Sequence, residues 1–238
     1  MDQSEIFGIM LAVGVVVTVL GLIGVGLGVG RMVSGKKIKQ RTANVQQFAL
    51  SQGFRFYGRE APPMPDTFTG LQLARTGRKN KKDNFFSGSY QGHTFSYFDY
   101  FYILDERKYS SSHWQSVVML QSMKTFLPKF TMKPETPGIR RGTKLGIFQD
   151  IDFDNDPEFS QAFWLQGEDE AAVRRLFTPP VLSYFASNPG ISVEGEGSTL
   201  VFYRDYQMEK VEDIPQFLSL GVEIANRLSG WGVDKAWA

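Results

Sequence analysis

The sequence has no cysteine in its 238 residues and only two histidines, His93 and His113. Without cysteine there is no disulfide framework, no thiol nucleophile and no thiolate metal site. Neither histidine stands in an H-E-x-x-H sequence, and no serine lies in G-x-S-x-G. No N-x-[ST] sequon occurs. A strong charge of either sign is also missing: 26 Lys+Arg face 25 Asp+Glu, for a formal net charge of +1. That balance argues against a nucleic-acid binder driven by bulk charge and against a disordered acidic tail. Hydrophobic residues make up 42% and aromatics 14%, enough for one good-sized core or two small ones.

One long apolar run is present. From Ile6 to Gly30, between Glu5 and Arg31, 25 residues pass without a charge. At about 1.5 Å per residue, a helix of that length exceeds the roughly 30 Å of bilayer hydrocarbon. The residues ahead of it, Asp2, Gln3, Ser4 and Glu5, are not the basic n-region of a cleaved signal peptide. A retained single transmembrane helix over 6–30 is therefore expected. Arg31, Lys36, Lys37, Lys39 and Arg41 follow it, whereas residues 1–5 hold no Lys or Arg. Positive charge marks the cytoplasmic side. The expected topology is a short extracytoplasmic N-terminus over 1–5, a basic juxtamembrane segment over 31–41 and a cytoplasmic domain behind it, in a bacterial inner membrane.

Within the span, Gly14, Gly21 and Gly28 recur at a seven-residue period, with Thr18 and Gly24 near the same face. Small residues let two helices approach closely in lipid, so this stripe is a candidate for helix association and a homo-oligomer. Glycine is also common in membrane helices without that role. The run G-V-G-L-G-V-G lacks the G-x-G-x-x-G register of a dinucleotide site.

The expected domain covers 42–230, with a possible subdivision near 134–142 and a tail over 231–238. Spacing predicts a helix from Thr42 to Gly53, then a connector from Arg59 to Asp66 in which three prolines forbid regular structure. Alternation predicts strands near 67–74, 85–90, 93–104 and 114–122, with Gln91-Gly92 as a tight turn. A proline-interrupted strand follows, then strand-like pieces from Gly142 to Gly167. Glu168-Asp169-Glu170 opens a helix broken at Pro179-Pro180, and a hairpin turns near Gly195-Glu196-Gly197. An amphipathic helix over Val211 to Ser229 ends the pattern. The fold class is α+β: an antiparallel sheet covered by amphipathic helices behind one transmembrane helix.

The segments F-L-P-K-F-T-M-K-P-E, D-I-D-F-D-N-D-P-E-F-S-Q-A-F-W-L-Q-G-E-D-E-A-A-V-R-R-L-F-T-P and V-E-G-E-G-S-T-L-V-F-Y-R resemble bacterial proteins built of one N-terminal membrane helix and a soluble α+β domain. The resemblance covers most of residues 40–230. It implies a bacterial membrane-anchored protein and brings no activity with it.

Three clusters are candidate sites. Asp150, Asp152 and Asp154 match the first positions of a calcium loop, but its glycine is replaced by Asn155 and its bidentate glutamate by Gln161. A solvated strand face explains the same alternation, since Ile151 and Phe153 then point inward. Arg75, Arg78, Lys79, Lys81 and Lys82 form a basic loop that serves as a soluble turn or contacts anionic lipid; nucleic acid is the unfavoured alternative. Between Phe85 and Tyr102, nine of eighteen residues are aromatic and occupy both faces of one predicted strand. Either helices cover both faces, or one receives a partner or ligand.

Gly138 to Lys144, G-I-R-R-G-T-K, is a near miss to a phosphate loop and reads as a basic turn. Ser112-His113 has no local mark of a nucleophilic site. No cofactor is expected. The leading reading is a membrane-anchored, non-catalytic protein whose cytoplasmic domain binds a partner protein or the membrane surface. The alternative is a membrane-bound enzyme or small-ligand binder with a pocket walled by the aromatic sheet, with His93 or the acidic strand at its edge. The near-neutral charge is a cancellation: residues 31–149 hold 20 basic and 7 acidic side chains, residues 150–238 hold 6 and 16. That split suits an anionic membrane surface on one side and a basic partner on the other.

Overall fold

A computed structural model of the protein describes residues 36–105, 109–121, 126–146 and 149–229. The expected span over 6–30, with Gly14, Gly21, Gly24 and Gly28, lies outside them, as does Arg31. Among the described residues no helix is long and apolar enough to cross a membrane. The chain divides into two compact units, Met1–Val45 and Gln46–Ala238. In the first, residues 36–45 are helical; in the second, residues 46–51 are helical (α1).

The second unit is built on one antiparallel sheet of eight strands. The strands are β1 (Arg55–Gly58), β2 (Arg78–Tyr90), β3 (His93–Asp105), β4 (Ser110–Gln121), β5 (Leu127–Pro134), β6 (Phe163–Gly167), β7 (Ser192–Gly197) and β8 (Thr199–Tyr203), in the order β1-β2-β3-β4-β8-β7-β5-β6. The helices are α2 (Asp66–Gly70), α3 (Gln72–Arg75), α4 (Pro137–Lys144), α5 (Pro157–Ala162), α6 (Glu170–Leu176), α7 (Pro179–Ser187) and α8 (Ile214–Leu228). Residues on both sides of 134–142 pair within the sheet, because β5 and β6 are neighbours.

Local chemistry accounts for several elements. Gln91 and Gly92 both take positive φ, at 48° and 81°, and Tyr90 faces His93 across the two-residue turn. That is the turn whose twist matches a hairpin. Asp169 accepts the Ala172 N–H and so caps α6. The prolines after it do not kink one helix; they separate α6 from α7, with Pro179 at the start of the second, where a missing N–H costs nothing.

Some expectations are corrected. Residues 67–74 form α2 and α3, not a strand; Phe68, Leu71 and Leu73 are buried, and helices this short do not repeat often enough to separate the two periods. The basic turn at 138–144 is α4, started by Pro137 and capped by the Thr136 side chain. Residues 149–156 are irregular and α5 follows them, so the acidic alternation is not a strand face. The basic loop is also absent as such: Arg75 ends α3, and Arg78, Lys79, Lys81 and Lys82 belong to β2.

The sheet is covered on both faces. On one, α8 packs Phe217 on Phe202 at 4.4 Å, α1 brings Phe48 to Phe86 at 6.0 Å, and Phe177, just past α6, meets Phe130 at 5.3 Å. On the other, α2 and α3 set Phe68 and Leu73 over Phe85, Phe98, Tyr100 and Tyr203. Phe95 and Tyr97 on one side of β3 and Phe98, Tyr100 and Tyr102 on the other are thus buried under the protein's own helices, while Phe101 is half-buried.

Candidate functional site

A groove of about 970 Å³ lies between α6, α7 and α8. Leu176, Val181, Val222 and Leu228 supply apolar walls, and Phe126, 84% exposed, stands at its lip. On α8, Ser219, Val222, Glu223 and Asn226 recur at helical spacing, which turns them to one side of the helix. Of the charged groups there, Arg227 donates to Glu223 at 2.8 Å and lies 4.0 Å from the Tyr184 ring centroid, while the exposed Arg175 has no ion pair among the described residues. His93 reaches the groove only through Asn226, at 3.0 Å from Nε2 to Oδ1. An exposed aromatic over apolar walls and a polar rim is suited to receiving a macromolecular segment.

Two buried polar clusters flank the sheet. On the α8 face, Asp99 accepts Asn84 Nδ2 at 2.7 Å, the Ser116 hydroxyl at 3.0 Å and the Tyr97 hydroxyl at 3.2 Å. Asn84 reaches it from a bulged position with φ of 53°. Next to it, the buried Asp83 is gripped by Arg59 Nε, 3.1 Å from each oxygen. On the opposite face Glu194, 0% exposed, accepts the Tyr203 hydroxyl at 2.6 Å and the Leu73 N–H at 3.0 Å. Burial raises the Glu194 carboxyl above its ordinary range, and nearby Lys133 and the hydrogen bonds pull the other way. Tyr203 is raised well above the usual phenol value, first by burial and then by the Glu194 charge. Apart from Asn84 Oδ1, which is buried without a partner among the described residues, the hydrogen bonds of both clusters stay inside the fold and hold strands and helices in register.

The other residues singled out in the sequence are dispersed. Lys36, Lys37 and Lys39 lie exposed in the helical part of the first unit, which also holds Arg41. Arg78 makes a two-pronged contact with Asp105, at 2.6 and 2.9 Å, and this pairing together with Ser110 lowers the Asp105 carboxyl to about 2. Lys82 sits over the Phe68 ring at 5.8 Å, and burial lowers its ammonium. Asp150 turns inward and accepts the Leu165 N–H at 3.2 Å; burial first, then the charges of Asp152 and Glu135, raise it to about 6. Asp152 and Asp154 are exposed. Among the described residues no group of three His, Asp or Glu is placed to hold a metal ion. His113 contacts Ser111, not Ser112, at 2.7 Å, and its ring lies 4.5 Å from Tyr206. Phe85, Phe95, Phe98 and Tyr100 of the aromatic sheet are at most 1% exposed, so among the described residues these four wall no open pocket.

No protein-family model and no curated protein sequence matches the chain. A solved structure does. The fold is similar to that in the crystal structure of the mycobacterial trehalose monomycolate transport factor A, TtfA. The TM-score is 0.51 at 10% sequence identity, over 80% of this chain and 93% of that one. Such a likeness is one of fold.

Proposed function

We propose that this is a membrane-tethered, non-catalytic bacterial protein whose second unit docks a partner protein through the groove between α6, α7 and α8. The groove carries the reading: it combines apolar walls, an exposed Phe126 and a rim whose Arg227 and Glu223 already neutralise one another. A catalytic centre calls for titratable groups converging on one space. Here His93 is tied to Asn226, and the buried carboxylates Glu194 and Asp99 are engaged on the two faces of the sheet. The tether is the uncharged run over 6–30, and the basic residues after it favour a cytoplasmic C-terminal unit. The glycine stripe at Gly14, Gly21, Gly24 and Gly28 gives that tether a means of self-association. The structural neighbour is named a transport factor, which agrees with an accessory role.

A photo-crosslinking residue at Val222 or Leu176 of the full-length protein, activated in growing cells, tests the proposal. One reproducible adduct with a protein, lost when the probe is moved to exposed Asp154, is the expected result. Adducts only with lipid, or none at either position, overturn it. Protease added to intact spheroplasts tests the orientation: protection of the second unit is expected, and its digestion reverses the topology.

A further inference from the structure

A second concavity, of about 530 Å³, lies between α3 and the β5–β6 edge and shares no lining residue with the groove. Its wall is chemically different. Three primary amides, Gln72, Gln149 and Gln166, face it together with Thr131, Arg75 and Lys129. We infer that this cleft binds a neutral, hydroxyl-rich ligand of the sugar class, free or as a lipid headgroup.

The lining chooses that chemistry. Each amide offers one acceptor oxygen and two donor hydrogens, and a hydroxyl is itself both donor and acceptor, so a set of amides matches a set of hydroxyls. Gln166 Nε2 and Gln72 Oε1 are 3.4 Å apart, which leaves both amides capacity for further bonds. Thr131 is only 7% exposed, and its hydroxyl has no hydrogen-bond partner among the described residues. That hydroxyl borders the cleft and is free to bond a ligand there.

The charges argue against a polyanion. Lys129 Nζ is held by Glu168 at 2.8 Å and lies 4.0 Å from Glu196. Of the two cations in the cleft, only Arg75 has no ion pair among the described residues. A phosphate-rich ligand needs several unmatched cations, whereas one guanidinium among amides suits a polyol. Gly70 and Gly167 leave backbone bare in the lining, and the volume falls in the range of about 300–1,000 Å³ usual for small-ligand sites.

The test uses the full chain in a sugar-free detergent, lauryldimethylamine oxide, with maltose as the free-sugar probe in saturation-transfer NMR. A second arm places the protein in nanodiscs with and without a diglucosyl lipid. The expected result is saturation of the maltose ring protons, reduced about tenfold in affinity in Gln149→Ala and in Gln166→Ala, as loss of one or two good hydrogen bonds gives. Gln91→Ala, in the other groove, leaves it unchanged, which separates this inference from the docking proposal. Displacement of maltose by the diglucosyl lipid assigns the headgroup as the source; no displacement assigns the free sugar. Absence of saturation in both arms, equal binding in the amide variants despite unchanged melting curves, or binding of inorganic phosphate in place of maltose overturns it.

Discussion

Glu194 on β7 and Tyr203 on β8 meet at 2.6 Å, hydroxyl to carboxylate, with the Leu73 N–H closing on the same group at 3.0 Å. The contact fastens α3 to the centre of the sheet. Because burial outweighs Lys133 and holds the carboxyl high, folding favours the protonated form. Its contribution to stability is greatest below the ordinary glutamate range and fades as pH rises through the folded value. Glu194→Gln therefore keeps the fold and gains on the wild type in urea melts at pH 8 relative to pH 4. Glu194→Ala leaves two buried donors unpaired and costs about 1–3 kcal/mol for each. Equal losses in the two variants at pH 8 would contradict this account.

Asp150 carries a second pH dependence in the same direction. Its carboxyl stands at about 6 against an ordinary 3.8, raised chiefly by burial, with the charges of Asp152 and Glu135 adding to it. Stability is complete below the ordinary value and declines as pH climbs from about 4 to about 6. Asp150→Asn keeps an acceptor for the Leu165 N–H and removes the charge, so its Tm at pH 7 exceeds the wild type by on the order of 3 °C. At pH 3.5 the two proteins melt together. A Tm below the wild type at pH 7 would show the Asp150 charge to be stabilising.

Much of this fold was legible because its signals are local and repeated. The Gln91-Gly92 turn, the long β3 and β4, and the period of α8 all follow from alternation, turn chemistry or 3.6-residue spacing sustained over many residues. Residues 67–74 misled because F-T-G-L-Q-L fits a strand as well as two single-turn helices, and only the packing of Phe68 and Leu73 over β3 decides between them. The acidic run misled for a related reason: Ile151 is buried and Asp152 exposed as alternation requires, but Pro157 starts a helix where a strand would need to continue. The candidate sites were less visible still. Gln72, Gln149 and Gln166 share a cleft only because β5 and β6 lie beside α3, and nothing in a sequence marks three scattered glutamines as neighbours. Glu194 sits in S-V-E-G-E-G, which reads as the wet side of a hairpin, because the helix that covers it comes from more than a hundred residues earlier. The charge split of the sequence is also blurred in space: β5 inserts Lys129 and Lys133 between β7 and β6, where they meet Glu168 and Glu194.

Gly221 of α8 faces Phe202 so closely that an added Cβ would overlap its ring. The glycine lowers helix propensity by about 1 kcal/mol relative to alanine, yet it lets α8 lie flat on β8. Gly221→Ala is therefore destabilising, by about 1–3 kcal/mol of overpacking, although alanine is the better helix former. Denaturant melts measure the loss. A compensating Phe202→Leu in the same chain restores part of it, because the shorter side chain vacates the space; a double variant no better than the single ones would place the strain elsewhere.

The basic residues of β2 divide by their partners, and the division sets which of them act at an anionic surface. Arg78 is bound to Asp105 and Lys82 covers the Phe68 ring, while Lys79 and Lys81 stand exposed with no ion pair among the described residues. A cation already matched by a carboxylate adds little attraction, whereas each unmatched one near a charged bilayer contributes about 1 kcal/mol. In nanodiscs containing phosphatidylglycerol, amides of β2 near Lys79 and Lys81 are expected to exchange more slowly than in neutral nanodiscs. Lys79→Glu with Lys81→Glu abolishes that difference, and Arg78→Ala leaves most of it. Raising salt to 1 M, where the screening length falls to about 3 Å, abolishes it as well. Protection that persists in the double variant or at high salt would tie it to burial of β2 and not to lipid charge.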